Sequence, residues 1–170
     1  SAFDAINFNP KRLLFVVHNE KILNDALKTF KAVIPNKSMA ILKSSDNSIH
    51  SDYIFATNIM INNFVKSGKI KEKDFDYIVI DEAHHATATT YENIIGFFKP
   101  AFMLGMTATP ERTDGANIFE IFNFNIAMDL RLRDALEKNY IVPFHYFGIN
   151  DITTDLSDYE HLNEQQLVEK

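Results

Sequence analysis

Five consecutive positions, Leu13-Leu14-Phe15-Val16-Val17, are apolar, with Arg12 before them and His18 after. A strand with one wet face alternates apolar and polar residues, whereas a run with no polar position needs cover on both faces, as in a central strand of a parallel sheet. Strand-sized, mostly apolar stretches recur at 39–42, 53–56, 75–80 and 101–106. The segments between them have a different period. From Glu20 the apolar residues Ile22, Leu23, Ala26, Leu27, Phe30 and Val33 return at three- and four-residue steps until Pro35, which predicts an amphipathic helix and its end. Stretches 59–65 and 91–98 read the same way, the second stopped by Pro100. Strands alternating with helices at this spacing predict an α/β fold, a mostly parallel sheet with helices on both faces. Further on, helices are expected near 116–122 and 130–138. A last strand is expected over 140–149, with Pro143 placing it at an edge.

At 170 residues and 46% hydrophobic content, one full core is possible and two are not. The absence of cysteine removes disulfides, thiolate zinc sites and cysteine nucleophiles together, and fits a reducing cytoplasm. The apolar runs are far shorter than the ~20 residues that span a bilayer, so a cytoplasmic protein without a membrane segment is expected. The net charge of −6 argues at first against a polyanionic partner. Its distribution removes that objection: Asp151, Asp155, Asp158, Glu160, Glu164 and Glu169 face Lys170 alone in the last twenty residues, leaving the remainder nearly neutral. The only dense basic run, Lys66, Lys69, Lys71 and Lys73, precedes a strand and is expected at the sheet's amino-terminal edge as a solvated loop, with Glu72 offsetting part of its charge.

The segment richest in chemistry is Ile78-Val79-Ile80-Asp81-Glu82-Ala83-His84, an apolar strand ending in two adjacent carboxylates. Open α/β sheets bind ligands at the carboxyl ends of their strands, so a strand tip presents Asp81 and Glu82 on a rigid support. Neighbouring side chains on extended backbone point apart, which lets one acid serve a magnesium ion through water while the other orients and deprotonates a water. Taken alone, an Asp-Glu pair after a strand is more often a helix cap than a catalytic pair. A zinc site is disfavoured, because the i, i+4 histidines of a metalloprotease helix and all cysteines are missing. At a second strand tip, Leu104-Gly105-Met106-Thr107-Ala108-Thr109-Pro110 reads by itself as a turn whose hydroxyls bond local backbone.

Together these segments resemble a known family. Asp81-Glu82-Ala83-His84 looks like the DEAH box, the Walker B element of superfamily 2 helicases, and the Thr107-Ala108-Thr109 segment is similar to their motif III. Each follows an apolar strand, and a helix lies between them. Phe15-Val16-Val17-His18-Asn19 resembles motif Ia, and Phe55-Ala56-Thr57-Asn58 resembles the strand-to-helix element whose threonine contacts the nucleic-acid backbone. The resemblance covers most of residues 1–149 and implies a RecA-like P-loop NTPase fold. Residues 1–142 would be a first helicase lobe, and 143–170 a connector and the start of a second. It implies that Asp81 and Glu82 face ATP, with Mg2+ held by Asp81 through water and Glu82 as general base. His84, Thr107 and Thr109 would complete the catalytic and coupling set, and His18, Asn19, Thr57 and Asn58 would contact nucleic acid. Asn19 departs from the arginine expected in the restriction-enzyme-like branch. Thr109-Pro110-Glu111-Arg112 looks like the helicase subunits of type III restriction enzymes and repair-associated bacterial DEAH proteins. The implied partners are nucleic acid, DNA expected over RNA, a second RecA-like lobe of the same full-length chain, and a nuclease or restriction partner.

One family element is missing from these residues. A phosphate loop needs two glycines five apart followed by lysine and a hydroxyl residue. The glycines are Gly68, Gly96, Gly105, Gly115 and Gly148, and Gly68-Lys69 is followed by Ile70. In the family that loop's helix would finish close to Ser1-Ala2-Phe3-Asp4. The expectation is therefore a lobe truncated at its N-terminus, inactive alone, from an ATP-dependent helicase or translocase. The alternative is a catalytically inactive nucleic-acid-binding or scaffold protein of the same fold.

Overall fold

Strand β1, Leu13–Val17, is buried at all five positions, and the rest of the sheet is built around it. It pairs in parallel with β3 (Tyr53–Thr57) on one side and with β4 (Tyr77–Ile80) on the other. Beyond these lie β2 (Met39–Ile41) and β5 (Phe102–Gly105), giving the order β2-β3-β1-β4-β5 with every pairing parallel. The computed structural model describes residues 2–44, 47–83, 89–109 and 118–142. It forms two compact units, Ser1–Ile126, which holds the whole sheet, and Ala127–Lys170.

Alternation along each strand sorts side chains between two cores. Leu14, Val16, Ile54, Ala56, Ile78 and Ile80 join Ile61 and Phe64 of α3 (Asn58–Lys66) and Tyr91 and Ile94 of α4 (Thr89–Phe97). Leu13, Phe15, Val17, Tyr53, Phe55, Tyr77 and Val79 join Ala2 and Ala5 of α1 (Ala2–Phe8) and Leu23 and Phe30 of α2 (Glu20–Val33). The expected parallel sheet with helices on both faces is the observed one. Helix α2 ends at Val33, just before Ile34 and Pro35, as its period requires.

Some expectations differ in detail. The strand expected over 75–80 begins at Tyr77; just before it the Asp76 carboxylate accepts the Arg12 amide (3.0 Å), while its backbone bonds across to Arg12 and Phe102. Residues 2–8, to which periodicity assigns no element and where the resemblance places the end of a helix near Ser1 to Asp4, form α1, tied to the sheet by the Tyr77 hydroxyl donating to the Asp4 carboxylate. The helices expected near 116–122 and 130–138 appear as α5 (Ile118–Ile121) and, in the second unit, α6 (Leu132–Glu137). Of the strand expected over 140–149, residues 140–142 are bend and irregular backbone, and the remainder lies outside the described residues.

The basic run does sit before β4, with Lys66, Lys69, Lys71 and Lys73 exposed. Glu72 lies within this run, and the bond to Lys99 and then the Lys73 charge help to lower its carboxyl, as a partial offset requires. Its carboxylate pairs with Lys99 (2.8 Å), in the turn before β5.

Candidate functional site at the carboxyl edge of the sheet

The register fixes where the strand tips lie. Val17 is level with Thr57, Val16 with Ile80, and Ile80 with Gly105. The tips of β3, β1, β4 and β5 therefore open on one edge in that order, bringing together Thr57-Asn58, His18-Asn19, Asp81-Glu82 and Met106-Thr107. With strands ~4.8 Å apart, Thr57 and Asp81 are separated by roughly two strand spacings, about 10 Å. His84 lies outside the described residues.

Asp81 continues the sheet for one more bond, its amide donating to the Val16 carbonyl (2.9 Å), while its Oδ1 accepts the Glu82 amide (3.1 Å). The chain then turns sharply. Glu82 has φ of 52°, the left-handed region that a non-glycine residue occupies only when its surroundings impose it. The cause is a backbone clamp: the Ala83 amide donates to the Met106 carbonyl (2.7 Å), and the Met106 amide donates to the Ile80 carbonyl (2.9 Å). One residue of the β5 tip thus holds both ends of the acidic turn. Gly105 is needed beside it, since a Cβ there would stand 2.4 Å from the Phe122 ring.

Burial pushes the Asp81 carboxyl above its ordinary range, and the neighbouring Glu82 charge adds to this, while the Glu82 amide and His18 act the other way. An acid whose folded-state value is raised penalises folding once both states are ionised. Protonation on acidification removes that penalty. Asp81→Asn is therefore expected to raise the thermal midpoint at pH 7. That gain should shrink as pH falls towards 4, which melting scans across that range would check.

The hydroxyl and amide residues of the edge are engaged locally. Asn19 caps α2, its side chain accepting from the Lys21 amide (2.9 Å). Thr57 caps α3, its Oγ1 accepting from the Met60 amide (3.2 Å). The Thr107 Oγ1 accepts from the Thr109 amide (3.0 Å). A capping threonine oxygen accepts while its hydroxyl hydrogen can still be donated outward, so the cap and a phosphate contact are compatible at Thr57. Thr57→Ala is expected to cost about 1 kcal/mol of stability, which Thr57→Ser should restore; urea unfolding of both variants measures it. Asn58 opens α3 and is half-buried, and Thr109 is exposed.

The family model of the type III restriction enzyme res subunit matches residues 1–112 of this chain. The chain belongs to that family. Its fold is that of the first RecA-like lobe of a superfamily 2 helicase. The helicase domain of Pyrococcus furiosus Hef superposes with a TM-score of 0.60 at 23% identity, covering 72% of this chain and 30% of that one. Among sequence relatives, the ATP-dependent DNA helicase MPH1 of Vanderwaltozyma polyspora is 28% identical over 74% of this chain and 14% of its own length. The type I restriction enzyme EcoAI endonuclease subunit of Escherichia coli is 31% identical over 48% of this chain and 10% of its own. Curated relatives that match 74–85% of this chain are spanned by it over only 13–27% of their length. Among the described residues no helix is long and apolar enough to cross a membrane.

Sequence reasoning on this res-subunit lobe missed two features. One is the Met106 clamp, which no side-chain pattern encodes. The other is Tyr91 on α4, which reads as a core residue by its period and is buried, yet carries a polar atom.

Proposed function

We propose that this chain is the first lobe of an ATP-dependent nucleic-acid helicase or translocase, with Asp81 and Glu82 as its Walker B pair. Residues 1–142 serve as the lobe, and 143–170 as connector and entrance to a second. The observation that carries this reading is the clamp of the Asp81-Glu82 turn to the β5 tip, beside the tips bearing His18 and Thr57. It makes the acids and the Thr107 segment one mechanical unit, which a lone helix cap would not need.

In this mechanism Glu82 orients the attacking water and takes its proton, and Asp81 stays ionised beside it. The donor set suits magnesium. Among the described residues no group of three or more acid or histidine ligands could cage a metal, and magnesium takes one or two carboxylates, its own waters and substrate phosphates. Bound through water at Asp81, it would neutralise charge developing on the phosphates. His84, Thr107 and Thr109 transmit the state of that site through Met106 to the sheet edge. There His18, Asn19, Thr57 and Asn58 offer donors to a nucleic-acid backbone, and such contacts position the strand without reading sequence. DNA is the substrate assigned, with a nuclease or restriction subunit as partner. The phosphates are gripped by residues outside these 170, which contain no Gly-rich Lys-Ser/Thr loop, so the 170 residues alone turn over no ATP.

The test is ATP hydrolysis by the full-length protein with single- and double-stranded DNA and RNA, beside the 170-residue chain. Turnover stimulated by DNA in the full-length protein and absent from the short chain is expected. Nucleic-acid binding without turnover would favour an inactive binding or scaffold protein, and turnover by the short chain would overturn the missing-loop assignment.

A further inference from the structure

Two costs sit next to each other at the acidic turn, and the mechanism above uses neither. The first is the left-handed backbone of Glu82. The second is Tyr91, 1% exposed, whose hydroxyl is buried and has no hydrogen-bond partner among the described residues. A buried polar group left unmade costs about 1–3 kcal/mol, and such groups are rare enough in folded proteins that each calls for a reason. Tyr91 lies in the first turns of α4 and packs in the same core cluster as Ile80 and Ala83, the residues on either side of Asp81-Glu82. Phenylalanine would fill that volume without the penalty. The other unpartnered buried hydroxyl among the described residues, Ser48, lies in the short 3₁₀ turn Asn47–His50, outside these four strand tips.

We infer that Tyr91 is a positioning residue for the acidic pair: its hydroxyl donates, directly or through one water, to the Asp81-Glu82 carboxylates when nucleotide engages them and the Glu82 turn relaxes. This rests on the reading of Glu82 as the base. The electrostatics agree, since burial pushes the phenol up to about 12 and the Asp81 and Glu82 charges contribute in the same direction. The phenol therefore stays protonated throughout the working range and has a hydrogen to donate to a carboxylate, which can only accept. A donor seated in the core constrains where a carboxylate points more tightly than bulk water does, because its ring is locked by packing.

The discriminating variant is Tyr91→Phe in the full-length protein, compared with Glu82→Gln. Expected for Tyr91→Phe is a roughly tenfold fall in kcat, with KM for ATP within about twofold and a thermal midpoint equal to or above that of the parent. A merely structural tyrosine would leave kcat unchanged. Independently of turnover, protein labelled with carbon-13 at tyrosine Cζ should show the Tyr91 resonance, assigned by its loss in Tyr91→Phe, moving on Glu82→Gln or Asp81→Asn. Unchanged kcat in Tyr91→Phe, with Glu82→Gln inactive, would overturn the role of Tyr91 and leave the base assignment standing. Normal turnover in Glu82→Gln would remove the base assignment itself. Should Tyr91→Phe fail to fold, the whole tyrosine Cζ spectrum decides: if no tyrosine signal moves on Glu82→Gln or Asp81→Asn, the proposal ends.

Discussion

Glu82→Gln in the full-length protein is expected to lower nucleic-acid-stimulated ATP turnover by about 10²–10⁴-fold, the range a positioned general base contributes, while ATP binding persists. The substitution preserves size and leaves the backbone constraint unchanged, because the left-handed turn is imposed by the Ala83-to-Met106 bond and not by the side chain. What changes is the loss of a basic oxygen. An amide cannot take the proton of the attacking water, although it can still accept a hydrogen bond from it. Asp81 remains to meet magnesium, so binding and hydrolysis should separate. Single-turnover hydrolysis measured beside equilibrium binding of a fluorescent ATP analogue shows the split. Normal turnover would assign the base elsewhere. Loss of both would instead mean that the turn had collapsed, which a lowered melting temperature would reveal.

The ease with which this site could be read from sequence has a physical origin. Fully buried parallel strands leave continuous apolar runs, so 13–17 and 78–80 mark both the centre of the sheet and its carboxyl tips. Once the tips are known, the chemistry of Asp81-Glu82 and Thr107 has a location. Helix α1 was not legible for the opposite reason. Its buried face is two alanines, Ala2 and Ala5, while its two phenylalanines, Phe3 and Phe8, are 74% and 43% exposed, so apolar size points away from the core. At the entrance to β4 the Asp76 carboxylate takes the Arg12 amide, a contact across 64 residues that no local pattern carries. The strain at Glu82 and the clamp that causes it are backbone events set by β5. Tyr91 shows the limit from another side: helical period predicts that its ring is buried and says nothing about where its hydroxyl finds a partner.

The largest stability effect is expected at Phe30. Its ring is 2% exposed and meets three others, Phe15 at 5.7 Å, Phe55 at 5.2 Å and Tyr53 at 6.5 Å between centroids. Those partners come from the two central strands β1 and β3, so this one side chain fastens α2 to the middle of the sheet. Phe30→Ala removes the ring and leaves a cavity with rigid strand walls that cannot close over it, at a cost of about 3–5 kcal/mol. Against the 5–15 kcal/mol typical of a whole domain, that is enough to leave this lobe marginal. Phe102→Ala is the control. Its ring also touches two aromatic neighbours, Phe8 and Tyr77, but it is 41% exposed and lies on β5, at the end of the strand order, so the loss should be clearly smaller. Urea unfolding of the full-length protein and both variants ranks them. The effect should reach the site as well, because α2 begins immediately after His18 and Asn19, and a helix freed from Phe15 and Phe55 no longer fixes those residues beside Asp81. Below the melting temperature of Phe30→Ala, nucleic-acid affinity should therefore weaken more than ATP affinity. Equal loss of both would mean that the β1 tip and the acidic turn respond as one body.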